Sequence, residues 1–184
     1  MLVHGLLDNP AVFNALKRCL GDQRQPLLIP ELPLRFGLTP VPEAAELLGG
    51  HIEAAFGLEQ PIDLLGFSIG GVIARTWIQL LGGHHRTRRF ISVGSPQQGT
   101  LTAQPWPGRL LAGIADLKSG SPLLTELNGN LEALAGVDCC SFYSAIDLAL
   151  LPVGRTQMLP VWAHPQLLRA PQSVQLLAQE LLRP

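Results

Sequence analysis

Residues 61–71 read Pro-Ile-Asp-Leu-Leu-Gly-Phe-Ser-Ile-Gly-Gly, and the rest of the chain can be arranged around this stretch. Its apolar first half predicts a short buried strand, and the run after its last glycine has the composition of a helix. Between them lies the pattern Gly66-x-Ser68-x-Gly70, with small residues two positions before and after a serine. Because larger side chains would collide across a tight turn, the pattern predicts a sharp strand-to-helix turn at Ser68.

A turn of this kind exposes the serine hydroxyl at the carboxyl end of its strand. It also leaves the backbone N–H of the next residue, Ile69, at the start of the helix, where it can stabilise an oxyanion. We therefore predict that Ser68 is a catalytic nucleophile and that Ile69 contributes to an oxyanion hole.

The composition of the chain is that of one core-rich globular domain spanning residues 1–184. Hydrophobic residues make up 47% of it and charged residues 15%, and the net charge of −1 gives no reason to expect a nucleic acid partner. It has no uninterrupted run of 18 apolar residues, so we expect no membrane span. The first strand follows Met1 without a basic leader, which makes the cytoplasm the expected compartment.

Neither the cysteines nor a histidine pair predicts a metal site. Cys19, Cys139 and Cys140 are odd in number, and the adjacent pair is poorly placed for a disulfide or a zinc site, so we expect buried thiols. His84 and His85 lie in a basic, glycine-rich turn; a metal or anion site is one interpretation, and a solvated turn is the simpler one. We expect no metal and no cofactor.

Predicted strands alternate with predicted helices along the chain. The strands are expected at residues 2–3, 27–29, 61–67, 90–93, 137–145 and 157–162, and the helices at 11–20, 42–56, 69–81 and 173–182. Right-handed crossovers then give a mostly parallel sheet of about six strands with helices on both faces. We predict a three-layer α/β/α sandwich.

A serine nucleophile needs a base, and the base needs an acid that orients it. For a nucleophile in this type of turn, the chain order is serine, acid, histidine. The histidines stand at positions 4, 51, 84, 85 and 164, and no Asp or Glu separates Ser68 from His84 and His85. His164 is therefore the predicted base.

Five carboxylates lie between Ser68 and His164: Asp116, Glu126, Glu132, Asp138 and Asp147. The first three fall in helical patterns, and Asp138 stands at the amino end of its predicted strand. Active sites in such sheets lie beyond the carboxyl ends of the strands. Asp147 directly follows a strand and is the preferred acid, with Asp138 as the reserve.

The second oxyanion donor is expected on the loop after the first strand, His4-Gly5-Leu6. Gly5 lets the chain bend toward a substrate carbonyl, and the N–H of Leu6 would face that of Ile69. We interpret His4 as a structural residue that holds this loop through hydrogen bonds.

With these motifs in hand, the chain resembles the α/β-hydrolase superfamily, and within it the small lidless bacterial lipases and their relatives. The segments that carry the resemblance are Leu2–Leu6, Asp63–Gly71, Phe142–Asp147 and His164–Leu168. The resemblance implies that Ser68, Asp147 and His164 are nucleophile, acid and base, with Leu6 and Ile69 forming the oxyanion hole. The family usually has histidine before the nucleophile; here Phe67 stands there, at a position that we take as non-catalytic.

The expected function is cleavage of a small-molecule or lipid carboxylic ester through an acyl-enzyme on Ser68. An acyltransferase or a thioesterase could use the same residues, and an inactive binding module is a further alternative. In the segment of about 100–136, apolar residues could line an acyl pocket or form a small lid that transiently touches a lipid surface; they are Trp106, Leu110, Leu111 and Ile114. An ordinary outer helix is the competing interpretation of that segment.

Overall fold

The computed structural model describes residues 1–106, 111–146 and 150–184. Within these ranges five strands form one parallel sheet whose spatial order is the chain order. They are β1 (Leu2–Val3), β2 (Ile62–Phe67), β3 (Thr87–Val93), β4 (Asp138–Tyr143) and β5 (Arg155–Met158). All carboxyl ends therefore lie at one edge of the sheet.

The α-helices of the described ranges are α1 (Asn14–Leu20), α2 (Val41–Phe56), α3 (Ile69–Leu80), α4 (Ala112–Ala115), α5 (Pro122–Gly129) and α6 (Pro171–Leu182). Short 3₁₀ turns cover Pro10–Phe13, Arg35–Gly37, Gly83–His85, Leu101–Ala103, Leu131–Leu134 and His164–Leu168. The predicted helix over 11–20 thus begins as a 3₁₀ turn, and the other predicted helices agree with the structure to within about two residues.

The sheet has a hydrophobic cluster on each face because successive side chains of a strand point to opposite sides. Leu64 and Phe90 pack with α2 and α3 on one face, whereas Leu65 and Ile91 pack with α1 and α6 on the other. All six residues of β2 are buried, as expected for a parallel strand covered on both faces. The predicted three-layer α/β/α sandwich is confirmed.

Three predicted strands differ from the observed ones by more than two residues. The strand predicted at 90–93 begins three residues earlier, at Thr87. Residues 27–29 are not a strand; only one bond, from the N–H of Leu2 to the carbonyl of Leu28 (2.9 Å), joins them to β1. Pro26 and Pro30 flank this run and have no N–H to donate to a ladder, so the described sheet has five strands. The last strand lies at 155–158 instead of 157–162, since Pro160 interrupts pairing one residue after Leu159 donates to Tyr143 (2.7 Å).

Most of the segment 100–136 packs on the core as an outer layer. Leu117, Leu123, Leu124 and Leu127 are buried there, whereas Trp106 is 54% exposed. Leu110, one of the predicted lid residues, lies outside the described residues.

The thiols and the basic turn differ in part from expectation. Cys139 and Cys140 are buried free thiols, but Cys19 is exposed, because α1 turns Leu16 and Leu20 inward and Cys19 outward. His84 lies in a 3₁₀ turn, with its Nδ1 3.2 Å from the carbonyl oxygen of Ile78. Among the described residues, no group of three or more His, Cys, Asp or Glu side chains is arranged to hold a metal ion. No helix in the described ranges is long and apolar enough to cross a membrane.

Candidate active site

Ser68 occupies the turn between β2 and α3 in a strained backbone conformation. Its φ of 55° and ψ of −130° lie in a region that side chains rarely adopt. The same conformation recurs in this chain at Gly21, with φ 52° and ψ −135°, where the residue is glycine. A serine in this conformation costs about 1–3 kcal/mol, and such strain is found mainly at functional sites.

The glycines of the motif are required by contacts around the turn. A Cβ on Gly66 would overlap the backbone of Gly71, and a Cβ on Gly70 would overlap the carbonyl oxygen of Val3. A Cβ on Gly71 would overlap the hydroxyl of Ser95. The close approach of β2, α3 and β1 therefore explains the small residues around Ser68.

The loop after β1 lies directly against the serine. A Cβ on Gly5 would be 3.1 Å from the Cβ of Ser68 and 2.6 Å from a carboxylate oxygen of Asp8. Leu6 directly follows Gly5, and Ile69 directly follows Ser68 as the first residue of α3, whose N–H has no partner within the helix. Leu6 and Ile69, the residues predicted to form the oxyanion hole, thus directly follow the two residues that approach each other, Gly5 and Ser68.

His4 holds the loop in place. Its Nε2 accepts a hydrogen bond from the N–H of Leu32 (3.0 Å), so the proton is on Nδ1, which donates to the carbonyl of Gly5 (2.8 Å). Both ring nitrogens are therefore used in one tautomer, and the side chain is 1% exposed. This agrees with the predicted structural role.

His164 begins the 3₁₀ turn that follows β5, and its loop is held by a side-chain cap. The side-chain oxygen of Gln166 accepts from the N–H groups of Trp162 (3.2 Å) and Ala163 (3.0 Å). The imidazole is half-buried and stacks on the ring of Phe67, with centroids 4.8 Å apart and planes at 25°. Since Phe67 directly precedes Ser68, the predicted base and nucleophile lie at the same edge of the sheet.

The end of β3 also contacts the imidazole. A Cβ on Gly94 would lie 3.0 Å from Cε1 and 3.1 Å from Nδ1 of His164, and it would overlap the side chain of Leu167. Gly94 has a φ of +54°, which favours glycine independently of this crowding. The ring of His164 is thus enclosed between the ends of β2 and β3.

The preferred acid, Asp147, lies outside the described residues. The reserve, Asp138, is the first residue of β4 and lies at the amino edge of the sheet, where it pairs with Arg89, Arg155 and Arg183. Because this edge is opposite to that of Ser68, the reserve assignment is wrong. A further carboxylate, Asp116, accepts from the N–H of Val41 (2.8 Å) at the start of α2, and burial raises its pKa.

Asp63 lies at the amino edge of the sheet, where it is held in ion pairs. Its side chain is 4% exposed and pairs with Arg24, Arg88 and Arg89. A cavity of about 360 Å³ opens beside Arg24, Arg88 and Asp63. It lies at the end of the sheet that does not hold Ser68, so it is not the reaction site.

A buried arginine anchors the loop that follows β3, a feature that the sequence analysis did not identify. Arg75 is fully buried in α3 and donates to the carbonyls of Gln97 and Leu127 and to the side chain of Asn128, each at 3.0 Å. Burial lowers its pKa to about 10. The signal that could have identified it is that Arg75 is the one charged residue of α3.

Large apolar side chains are exposed on the loops after several strands and on the segment before α2. They are Leu7, Phe36, Leu38, Leu101, Trp106, Ile146 and Trp162, with exposed fractions from 52% to 79%. Leu7 follows the β1 loop, and Trp162 stands two residues before His164. Gly37, beside Phe36, would place a Cβ 3.7 Å from Leu6. Leu7, Leu101, Ile146 and Trp162 thus lie on loops that leave the carboxyl ends of strands, the edge of the sheet that holds Ser68.

One family model matches the chain: palmitoyl protein thioesterase, over residues 40–130. This is just under half of the chain and includes β2, Ser68, α3 and β3. No curated protein sequence matches at a significant level.

Several solved structures are similar along nearly the whole chain. The mature lipase BlEst2 of Bacillus licheniformis has a TM-score of 0.78 at 14% identity, covering 98% of this chain and 90% of that one. The thioesterase domain of NocB, solved as a covalent complex with a fluorophosphonate nocardicin G analogue, has a TM-score of 0.63 at 20% identity, covering 100% and 93%. An extracellular α/β-hydrolase from a Paenibacillus species has a TM-score of 0.61 at 15% identity, covering 98% and 96%. These similarities show that the chain has the α/β-hydrolase fold, the fold that the resemblance implied.

Proposed function

We propose that the chain is a serine hydrolase that cleaves carboxylic esters of apolar acyl groups through an acyl-enzyme on Ser68. The observation that carries the proposal is the convergence of three features at one edge of the sheet. Ser68 stands in a strained turn, the loop of Gly5 lies against it, and the imidazole of His164 stacks on the residue before it. This is the arrangement that a nucleophile, an oxyanion donor and a base require.

In the proposed reaction the hydroxyl oxygen of Ser68 attacks the ester carbonyl while His164 takes its proton. The backbone N–H groups of Leu6 and Ile69 stabilise the negative charge that develops on the carbonyl oxygen. His164 then gives the proton to the leaving alcohol, and a water molecule, activated by the same imidazole, hydrolyses the acyl-enzyme. Asp147 is the acid that we propose to orient the imidazole.

The exposed apolar side chains on the loops after the strands support an apolar acyl substrate. Burial of an alkyl chain against such side chains contributes about 0.8 kcal/mol per CH₂ group. Activity on p-nitrophenyl esters is therefore expected to rise with acyl length, until the chain exceeds the apolar surface. Transient contact with a lipid surface is part of this proposal.

A thioesterase is the second candidate, favoured by the palmitoyl protein thioesterase match and by the similarity to a thioesterase domain. Both reactions use the same acyl-enzyme and differ in the leaving group. Matched acyl esters and acyl thioesters of equal chain length, compared by kcat/KM, separate the two candidates.

The direct test is labelling with a fluorophosphonate probe, followed by mapping of the modified peptide. We expect the label on Ser68, and Ser68→Ala should abolish both labelling and ester turnover, removing an acceleration on the order of 10⁶. His164→Gln should also inactivate the protein, whereas His51→Gln, at an exposed position on α2, is the matched control that should not. Unchanged turnover in Ser68→Ala would contradict the proposal.

The choice of acid is tested in the same assay. Asp147→Asn is expected to lower kcat by about 10⁴-fold, because an amide stabilises the wrong imidazole tautomer. Asp138→Asn should leave kcat of the folded protein unchanged, because Asp138 lies at the opposite edge of the sheet.

A further inference from the structure

Phe67 lies beside both the predicted base and the loop after β1. Its ring is 2% exposed and stacks on the imidazole of His164. The same ring lies 3.4 Å from the position that a Cβ on Gly5 would take, so it lies next to the loop after β1. One aromatic side chain therefore stacks on the predicted base and lies next to the predicted oxyanion loop.

A histidine on a surface turn has free rotation about its side-chain bonds unless neighbours restrict it. His164 is half-buried, and Gln166 holds only the backbone on its amino side. The flat face of Phe67 covers one face of the imidazole, and Gly94 lies close to Cε1 and Nδ1. Nearly parallel rings at this separation attract each other, so the contact restricts the ring without using either ring nitrogen.

We propose that Phe67 is a positioning residue that holds the imidazole of His164 in the orientation needed for proton transfer with Ser68. This inference rests on the proposed function. It also assigns a role to a position that we predicted to be non-catalytic: Phe67 touches no reacting atom, but it acts through the base.

A purely structural role is the alternative, because Phe67 belongs to the hydrophobic cluster beneath α1 and α6. The chain offers a matched control. Leu65 lies two residues earlier on the same strand, is fully buried in the same cluster and points to the same face. Leu65→Ala removes core volume from β2 at a greater distance from His164 than Phe67→Ala does.

The experiment compares Phe67→Ala, Phe67→Leu, Phe67→His and Leu65→Ala in three assays. These are steady-state hydrolysis of a p-nitrophenyl ester, the rate of fluorophosphonate labelling, and thermal unfolding, with kinetic constants expressed per folded molecule. Misplacement of a reacting group by about 1 Å costs about 10²-fold in rate. Phe67→Ala is expected to lower kcat and the labelling rate by about this factor, with KM within about twofold of the wild type.

Phe67→His retains a flat ring and is expected to recover kcat to within about tenfold of the wild type, whereas Phe67→Leu, which is apolar without a flat face, should not. Leu65→Ala should lower the unfolding temperature without lowering kcat. If Phe67→Ala does not fold, the comparison of kcat between Phe67→Leu and Phe67→His tests the inference, and Phe67→His is expected to be the faster enzyme.

Equal kcat values in wild type and the Phe67 variants, or an equal loss of kcat in Leu65→Ala, would overturn the inference. If the wild type is labelled at Ser68 but the Phe67 variants keep its kcat, only the positioning role is overturned. A wild-type protein that reacts with neither probe nor ester overturns the proposed function and this inference together.

Discussion

Replacement of Ser68 by glycine should stabilise the protein while inactivating it. The serine has a φ of 55° and a ψ of −130°, a conformation whose cost for a residue with a side chain is about 1–3 kcal/mol. Glycine removes this cost but gives the unfolded chain more freedom, which offsets about 0.4–1 kcal/mol. With the middle of each range, we expect Ser68→Gly to unfold with a free energy about 1.3 kcal/mol higher than that of Ser68→Ala, which keeps the Cβ and the strain.

Urea unfolding measures this difference, and calorimetry gives a second value. For a chain of this size, 1 kcal/mol corresponds to roughly 2–4 °C in Tm. Gly21→Ser is the reciprocal control, because Gly21 has nearly the same φ and ψ, and a Cβ there would meet no atom within 4 Å. It should lose about 1.3 kcal/mol, because the reduced freedom of the unfolded chain offsets part of the backbone strain.

The difference in unfolding free energy between Ser68→Gly and Ser68→Ala tests whether the turn is strained. If the two variants unfold at the same urea concentration with the same slope, no strain is stored at the turn. Ser68 would then not be held in this conformation against an energetic cost. If Gly21→Ser is also as stable as the wild type, the cost assigned to this backbone conformation is itself refuted.

Two further predictions concern the walls of the site and the buried thiols. Gly94→Ala, at a φ of +54°, would place a Cβ 3.0 Å from the imidazole of His164 and should lower kcat by about 10–100-fold. Gly21 has a similar φ, and a Cβ there would meet no atom within 4 Å, so the control variant Gly21→Ala should lose stability without losing kcat. Equal kcat values in Gly94→Ala and Gly21→Ala would show that crowding of His164 does not matter for the reaction. Burial raises the pKa values of Cys139 and Cys140 to about 11, so at pH 8 the folded protein should expose to a disulfide reagent one reactive thiol, Cys19, against three after unfolding. Because folding raises both pKa values, the two thiols contribute fully to the free energy of unfolding below about pH 9, and their contribution should fall between about pH 9 and 11. A free energy of unfolding that stays constant from pH 8 to 10.5 would contradict this prediction.

The features predicted well from sequence are those with a local physical cause. The spacing of Gly66, Ser68 and Gly70 reflects contacts of one tight turn, so the boundary between β2 and α3 follows from the pattern. The apolar spacing of α2, α3 and α6 likewise depends on residues three and four apart. The candidate base, His164, followed from chain order alone, and the structure brings it beside Phe67.

Predictions that depended on a neighbouring strand were less accurate. Residues 27–29 have the composition of a strand but lack a ladder, because pairing depends on donors and acceptors of another segment as well as on propensity. Cys19 was expected to be buried, yet which face of α1 turns inward depends on where α6 lies.

The amino-acid sequence contains the strained turn, the order of nucleophile and base, and the alternation of strands and helices, because each arises from neighbouring residues or from the direction of the chain. The contacts of Phe67 with His164, of Gly94 with the same ring and of Arg75 with the loop after β3 come from the folded molecule. These pairs are separated by 97, 70 and 22 positions along the chain. Phe67 and Gly94 lie beside His164 because the parallel strands align their carboxyl ends at one edge of the sheet. That alignment also places the candidate base beside the serine.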